Sequence, residues 1–408
     1  MVVRARRARK REGPDRRGLT WSEAAAISSC RENEGRFTGY HFDQTNGAVS
    51  RYAEVGADAE LGLHVQGTEL NSFFCNRRAC LGVVASTAGL ISVGVGVSAA
   101  PATAKPVFVL NSLDATVSVV DARAGKVLRV VPTGKEPHHL YMTPDEKSLI
   151  VANAGGDSLT FLDPVSGDIQ RTLHGIRDPY HLRFSPDMQW FVTAANRLNH
   201  IDIYRWEPQA AKPLHLVKRI AASRTPSHIA IDSRSSVTYV TLQDSDELIA
   251  IDLVTQTPRW RLTTGKMPAD LHLSADDKHL LVGMTGEDVV EVYDVSGPQA
   301  RLVKKIRTGM GAHAFRARGD KRHVFVSNRV ANTVSLVDLH TLEVVAQYAV
   351  PGGPDCMEMM ADGRTLLVTA RWARRLTVLD IETRAIVRQI PVGRSPHGVW
   401  TLDHAARL

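Results

Sequence analysis

The chain of 408 residues has few cysteines, few aromatic side chains and little net charge. Only one of its four cysteines, Cys356, lies after residue 104, so no disulfide can form within the C-terminal three-quarters of the chain. The sequence also lacks a phosphate-binding glycine loop, an HExxH motif, a Gly-x-Ser-x-Gly elbow and a CxxCH haem attachment site. These absences exclude the functions that those motifs signal. The aromatic content of 6% predicts a core built mainly of valine, leucine and isoleucine.

The formal charge of +7 is small for the length of the chain. Residues 105–408 carry 37 lysines and arginines against 33 aspartates and glutamates. A surplus of this size on about 300 residues does not favour a nucleic-acid partner by itself. It is typical of a mixed, solvated surface.

Residues 77–104 have the order of a secretory signal peptide. Arg77 and Arg78 precede an uncharged run that is apolar from Leu81 to Val97 and ends in the small residues of 102–104. This pattern predicts cleavage after Ala104 and a periplasmic or secreted protein without a transmembrane segment. A twin-arginine signal and an uncleaved membrane anchor are the alternatives.

About 70 residues precede this segment, which is unusual for a signal peptide. We interpret residues 1–76 as an unstructured extension or as a misassigned start, with translation beginning near Val65 or Leu70. The alternative is a genuine cytoplasmic extension with a basic N-terminal arm.

From residue 105 onward one pattern recurs seven times at a spacing of 42–47 residues. Its clearest copy is residues 324–355, where three β-rich runs are separated by polar turns and a Gly/Pro corner opens the next run. Four strands per unit at this spacing predict an all-β fold, a seven-bladed β-propeller of four antiparallel strands per blade. The final strand, His397 to Asp403, is expected to complete blade one and close the ring.

Six of the seven second runs end in aspartate. We interpret these aspartates as turn formers, because six catalytic carboxylates in one repeat position would be implausible. They are Asp121, Asp163, Asp252, Asp294, Asp338 and Asp380.

Residues 105–408 resemble the YVTN-repeat β-propeller family. The matching motifs are Tyr239-Val240-Thr241, residues 333–338 (TVSLVD), residues 390–393 (IPVG) and Pro186-Asp187. The resemblance covers all seven repeats and implies the propeller fold, often in exported proteins. It implies little about activity.

The Gly/Pro corner brings chemically reactive residues into one register. Six of the seven positions two residues after the corner proline, or after Gly311 in the fifth corner, hold histidine, aspartate or cysteine. These candidate metal ligands are His139, His181, His228, Asp270, His313 and Cys356. Equivalent residues of all blades converge on the central channel, and histidine and cysteine favour copper or zinc. Inheritance of a polar channel lining by duplication is the alternative explanation.

A second set of residues lies one position earlier or one strand step later. These candidate contacts to a ligand or cofactor are His138, Arg183, His272, Glu358 and His397.

The sequence therefore predicts an exported, monomeric binding or scaffold protein that holds a metal ion or small ligand at the channel mouth. A protein partner on the blade loops is compatible with the fold. A metal- or cofactor-dependent periplasmic enzyme, an oxidoreductase or a lactonase or lyase, is the alternative.

Overall fold

The computed structural model describes residues 38–43, 48–53 and 105–407. Strands β1 (Thr38–Asp43) and β2 (Ala48–Ala53) form an antiparallel hairpin, in a different compact unit of the chain from residues 105–407. The predicted signal peptide, 77–104, lies outside the described residues. No helix among the described residues is long and apolar enough to span a membrane.

Residues 105–407 form seven four-stranded antiparallel sheets, which confirms the predicted seven-bladed propeller. Blade one is closed by the last strand, β30 (Pro396–Thr401), which pairs with β3 (Val107–Asn111). The chain end thus supplies the innermost strand of blade one, as the repeat pattern predicts. The other strands of blade one are β4 (Thr116–Asp121) and β5 (Lys126–Pro132).

Blades two to seven each run from the innermost to the outermost strand along the chain. Blade two is β6 (Pro137–Met142), β7 (Leu149–Asn153), β8 (Ser158–Leu162) and β9 (Ile169–His174); blade three is β10 (Pro179–Phe184), β11 (Trp190–Ala195), β12 (His200–Trp206) and β13 (Leu214–Ala221); blade four is β14 (Pro226–Ile231), β15 (Val237–Leu242), β16 (Glu247–Asp252) and β17 (Thr257–Thr263). Blade five is β18 (Pro268–Leu273), β19 (His279–Met284), β20 (Val289–Asp294) and β21 (Arg301–Arg307); blade six is β22 (Ala312–Ala317), β23 (His323–Asn328), β24 (Thr333–Asp338) and β25 (Glu343–Ala349); blade seven is β26 (Pro354–Met359), β27 (Thr365–Ala370), β28 (Arg375–Asp380) and β29 (Ala385–Pro391). Short 3-10 turns occupy Ala154–Gly156 and Gln243–Ser245.

The hydrophobic core lies between neighbouring blades. One cluster joins Ile150 and Phe161 of blade two to Phe191 and Tyr204 of blade three. The two middle strands of each blade are buried on both faces, so they read as near-continuous apolar runs, whereas the outermost strands are largely exposed. Each fully buried phenylalanine contributes about 1.5–3 kcal/mol of hydrophobic stabilisation.

The strand-end aspartates act as turn formers, as predicted. Asp121 accepts a hydrogen bond of 2.8 Å from the Ala124 amide, and Asp252 accepts one of 2.7 Å from the Thr255 amide. The other four make equivalent bonds to the backbone of the turn that follows them. These carboxylates therefore serve the fold.

Candidate functional site

The innermost strands begin at one mouth of the central channel, and their pairing fixes which residues are equivalent. In six blades a proline begins this strand and pairs with the last residue of the neighbouring strand. In blade six Ala312 takes this place and pairs with Asn328. The alignment of the repeats, which placed Gly311 at the proline position of blade six, is therefore wrong by one residue. As a result, His313 lies directly after the proline-equivalent position, not two residues after it.

Each innermost strand carries a β-bulge or register shift directly after this first residue. In a regular strand, successive side chains point to opposite faces. A bulge breaks that alternation and re-aims a side chain. This explains how the adjacent residues His138 and His139 both join one cluster, with ring centroids 4.8 Å apart.

Six imidazoles gather in this cluster, which we call the imidazole cluster. They come from the first three residues of five innermost strands, in blades one, two, three, four and six. The members are His138, His139, His181, His228, His313 and His397.

The rings are in direct contact with one another. The ring centroid of His138 lies 3.7 Å from that of His397 and 3.9 Å from that of Tyr180. His139 lies 4.4 Å from His181 and 5.1 Å from His228. These rings are close to one another and largely buried, so they form a single cluster.

Every imidazole of the cluster has one buried ring nitrogen without a hydrogen-bond partner among the described residues. The ring of His397 shows what this means. Its Nδ1 lies 2.8 Å from the carbonyl oxygen of His138, which can only accept, so Nδ1 carries the proton. The Nε2 of His397 is then an unprotonated lone pair, and it lies 3.7 Å from Oδ1 of Asp355.

Asp355 is the carboxylate of the site and is fully buried. It accepts a hydrogen bond of 2.6 Å from Arg329 and one of 3.3 Å from Arg371. Its Oδ1 also lies 3.3 Å from Nδ1 of His313. Burial alone would raise the pKa of this carboxyl, but the charges of Arg329 and Arg371 outweigh it and lower the pKa, so Asp355 is ionised.

Burial lowers the pKa of all six imidazoles, because a charged ring would lose its hydration. Repulsion from neighbouring histidines and arginines adds to the effect. The pKa of His228 falls to about 4. The rings are therefore neutral at physiological pH, which is the form in which histidine binds metals.

Two groups of side chains have the spacing of a metal site. His138, His139 and His397 form one, and His313, Asp355 and His397 form the other; within each, the ligand atoms lie within 4.8 Å of one another. His397 belongs to both. Imidazole nitrogens with one carboxylate are a ligand set that suits zinc or copper.

Four of the predicted metal ligands lie outside these two groups. Two of them, His181 and His228, are rings of the imidazole cluster, and the others are Asp270 and Cys356. Asp270 accepts a hydrogen bond of 2.9 Å from the Phe315 amide through Oδ2, and its buried Oδ1 has no such partner within the part of the chain that the structure describes. Cys356 places its Sγ 3.5 Å from Nδ1 of His397. Burial raises the pKa of the Cys356 thiol well above its usual value, so the thiol is neutral.

Three residues predicted to contact a ligand lie one strand step further along the innermost strands. Arg183 packs over the Tyr141 ring at 5.1 Å. Glu358 binds Arg316 at 2.5 Å and also pairs with Arg407. His272 lies 6.2 Å from the ring of Phe315, and burial lowers its pKa to about 4. The carboxylate of Glu358 is held in these ion pairs, which connect the C-terminal segment to blades six and seven.

Sequence reasoning missed Asp355, Arg329 and Arg371 as members of the site. Arg329 and Arg371 directly follow the second strands of blades six and seven, where blades one, four and five have Ser112, Gln243 and Thr285. An arginine at this repeat position was the signal that could have identified them. Asp355 lies directly after its corner proline, at the position that the bulge turns toward the axis.

The family model of YNCE-like beta-propellers matches residues 63–407. Two curated relatives, each described as uncharacterized protein YncE, come from Salmonella typhi and Salmonella typhimurium and are 28% identical over 146 residues. These matches cover 35% of this chain and 41% of each relative, so the chain spans about two fifths of the length of the curated relatives.

Solved structures share the fold at low identity. The periplasmic gluconolactonase PpgL of Pseudomonas aeruginosa aligns with a TM-score of 0.62 at 19% identity, covering 74% of this chain and 99% of that one. A functionally unknown protein from Desulfotomaculum acetoxidans aligns with a TM-score of 0.63 at 14% identity, over 73% and 98% of the two chains. The dihydro-heme d1 dehydrogenase NirN aligns with a TM-score of 0.56 at 15% identity, over 73% and 75%.

These structural likenesses concern the fold alone. The family match, in contrast, covers most of the chain and all seven blades. The chain belongs to the YNCE-like β-propeller family.

Proposed function

We propose that this protein is an exported propeller that binds a transition metal ion, copper or zinc, in the imidazole cluster. The observation that carries the proposal is the pairing of His397 Nε2 with Asp355 Oδ1, 3.7 Å apart. Both atoms are hydrogen-bond acceptors, since the proton of His397 is on Nδ1. Two buried lone pairs that face each other repel, and a cation between them would remove this repulsion, while Oδ1 keeps its hydrogen bond from Arg329.

The neighbouring rings also support a metal site here. His313 approaches the same carboxylate oxygen, and His138 and His139 complete the second group around His397. Each contributes a buried nitrogen without a hydrogen-bond partner among the described residues. Leaving several such atoms buried and unsatisfied costs free energy, which ligation would recover.

The test is elemental analysis of the full-length protein after exposure to copper or zinc and removal of excess metal. We expect stoichiometric metal in the wild type and a His397→Ala variant that binds more than about 100-fold more weakly, since loss of an outer-shell partner alone costs 10–100-fold. His174→Ala, which removes an exposed histidine of β9, is the matched control and should bind as the wild type. Equal metal content in the wild type and His397→Ala would disprove the site.

A metal-dependent enzyme is the alternative function. A gluconolactonase and a dehydrogenase share the fold, at identities that carry no activity across. In the cluster, His138, His313 and His397 are 3%, 1% and 0% exposed. An ion fits such a closed site, whereas a sugar lactone or a tetrapyrrole would require rearrangement. We therefore rank binding above catalysis.

Export rests on residues 77–104 and on the periplasmic location in the name of one structural neighbour. We expect the mature protein in the periplasmic fraction with Lys105 at its N-terminus. Mass spectrometry of the N-terminal peptide checks this. Recovery of the chain from the cytoplasm with residues 77–104 intact would contradict it.

A further inference from the structure

The charges around the imidazole cluster are unusual for a site that binds a cation. Arg329 and Arg371 both contact Asp355. Asp355 is the one carboxylate of the two candidate groups, and two guanidinium groups contact it. These two arginines and one carboxylate leave a net positive charge beside the site before any ion binds.

A buried site of this charge discriminates between ions by their valence. Repulsion from a fixed positive charge is twice as large for a divalent ion as for a monovalent one. The cost of desolvating the ion rises with the square of its charge in the Born description. Asp355 is the one carboxylate in the two candidate groups, and Arg329 and Arg371 already neutralise its charge, so it offsets little of these costs.

The ligand types are compatible with a monovalent ion. Neutral imidazoles suit copper as well as zinc. Cys356 lies outside both candidate groups, because its Sγ approaches Nδ1 of His397, the nitrogen that carries the proton. A monovalent copper ion tolerates the low coordination number that three side chains provide.

We infer that the imidazole cluster selects copper in its monovalent state, Cu(I), and that Arg329 and Arg371 disfavour divalent ions there. This inference rests on the proposed metal-binding function. Arg329 and Arg371 are then positioning residues: they hold Asp355 and set the charge, without ligating the ion.

The test compares Cu(I) and Zn(II) affinities of the full-length protein by competition with chromophoric chelators, with Cu(I) kept reduced under anaerobic conditions. Copper binds tightly to many nitrogen sites, so a preference alone would not test the charge argument. The informative variant is Arg371→Gln, which removes the weaker, partly exposed partner of Asp355 and leaves Arg329 in place. Arg388→Gln on the exposed outer strand of the same blade is the matched control.

We expect Arg371→Gln to strengthen Zn(II) binding about tenfold and Cu(I) binding about threefold, because the electrostatic change scales with ion charge. Arg388→Gln should change neither affinity. Subtracting the metal bound by His397→Ala removes contributions from Cys30, Cys75 and Cys80 outside the propeller.

The two proposals fail in different ways. If the wild type binds Zn(II) more tightly than Cu(I), or if Arg371→Gln changes both affinities equally, the selectivity inference is wrong and the metal site stands. If His397→Ala and the wild type bind both ions alike, the metal site itself is wrong.

Discussion

Acidification of the metal-free protein from pH 7 to pH 5 should remove much of its folding stability. Histidine in the unfolded chain titrates near 6.5, whereas the pKa of buried His228 is about 4. Between these values the unfolded state binds more protons, so the stabilisation is complete above pH 6.5 and is lost as the pH falls toward 4. At pH 5 the difference in protonation of His228 between the two states alone lowers the free energy of unfolding by about 2 kcal/mol. The pKa values of the other five rings are lowered as well, so their protonation in the unfolded state adds to the loss of stability. The summed loss is large compared with a total stability of about 5–15 kcal/mol.

Denaturant unfolding between pH 7 and pH 5 measures this loss. His228→Gln should reduce the slope of stability against pH, and His174→Gln, in an exposed outer strand, should not. A free energy of unfolding that does not change over this range would show that the rings are not buried as described. Bound metal should protect the protein, because the ion binds the folded state alone.

A chain that ends at residue 395 should not fold. It lacks β30, whose Trp400 is 2% exposed and lies 6.1 Å from the ring of Phe108. Loss of a buried tryptophan side chain alone costs about 3–5 kcal/mol. The truncation also leaves the buried strand β3 with an open edge that favours aggregation. Thermal unfolding followed by circular dichroism should show no cooperative transition.

A circular permutant provides the control for this truncation. Residues 394–404 placed ahead of residue 105 would return β30 to β3, and the native pairing of Thr401 with Val107 allows a short connection. The permutant should unfold cooperatively near the wild-type temperature. A truncated chain with a native-like transition would show that closure of the ring contributes little.

The fold was predictable because the repeat has two independent signatures. The strands are buried on both faces, so their apolar runs are easily seen, and the turns between them are marked by aspartate, asparagine and glycine. Repetition at 42–47 residues then fixed the blade count and the role of the last strand. The chain's β1–β2 hairpin had no such repetition, and its segment showed no clear periodicity.

The candidate site was only partly predictable. His139, His181 and His228 were found from their register, and these rings do lie together. Asp355 was missed because successive side chains of a regular strand point to opposite faces. Nothing in the sequence marks the bulge that breaks this alternation. The same reasoning placed His397 among the candidate contacts to a ligand and not among the candidate metal ligands, although it is shared by both candidate groups. Glu358 was placed with the ligand contacts because it lies one strand step along its innermost strand, and its partners Arg316 and Arg407 are too remote in sequence to signal the ion pairs.

The bulge at the start of every innermost strand has an evolutionary consequence. It lets each blade present adjacent side chains to the channel, on a backbone held by strand pairing that those side chains do not control. Point mutations at these positions can therefore rewrite the chemistry of the channel mouth one blade at a time. Members of this family could diverge in ligand while their architecture stays constant, and the same positions offer a template for designing new binding sites.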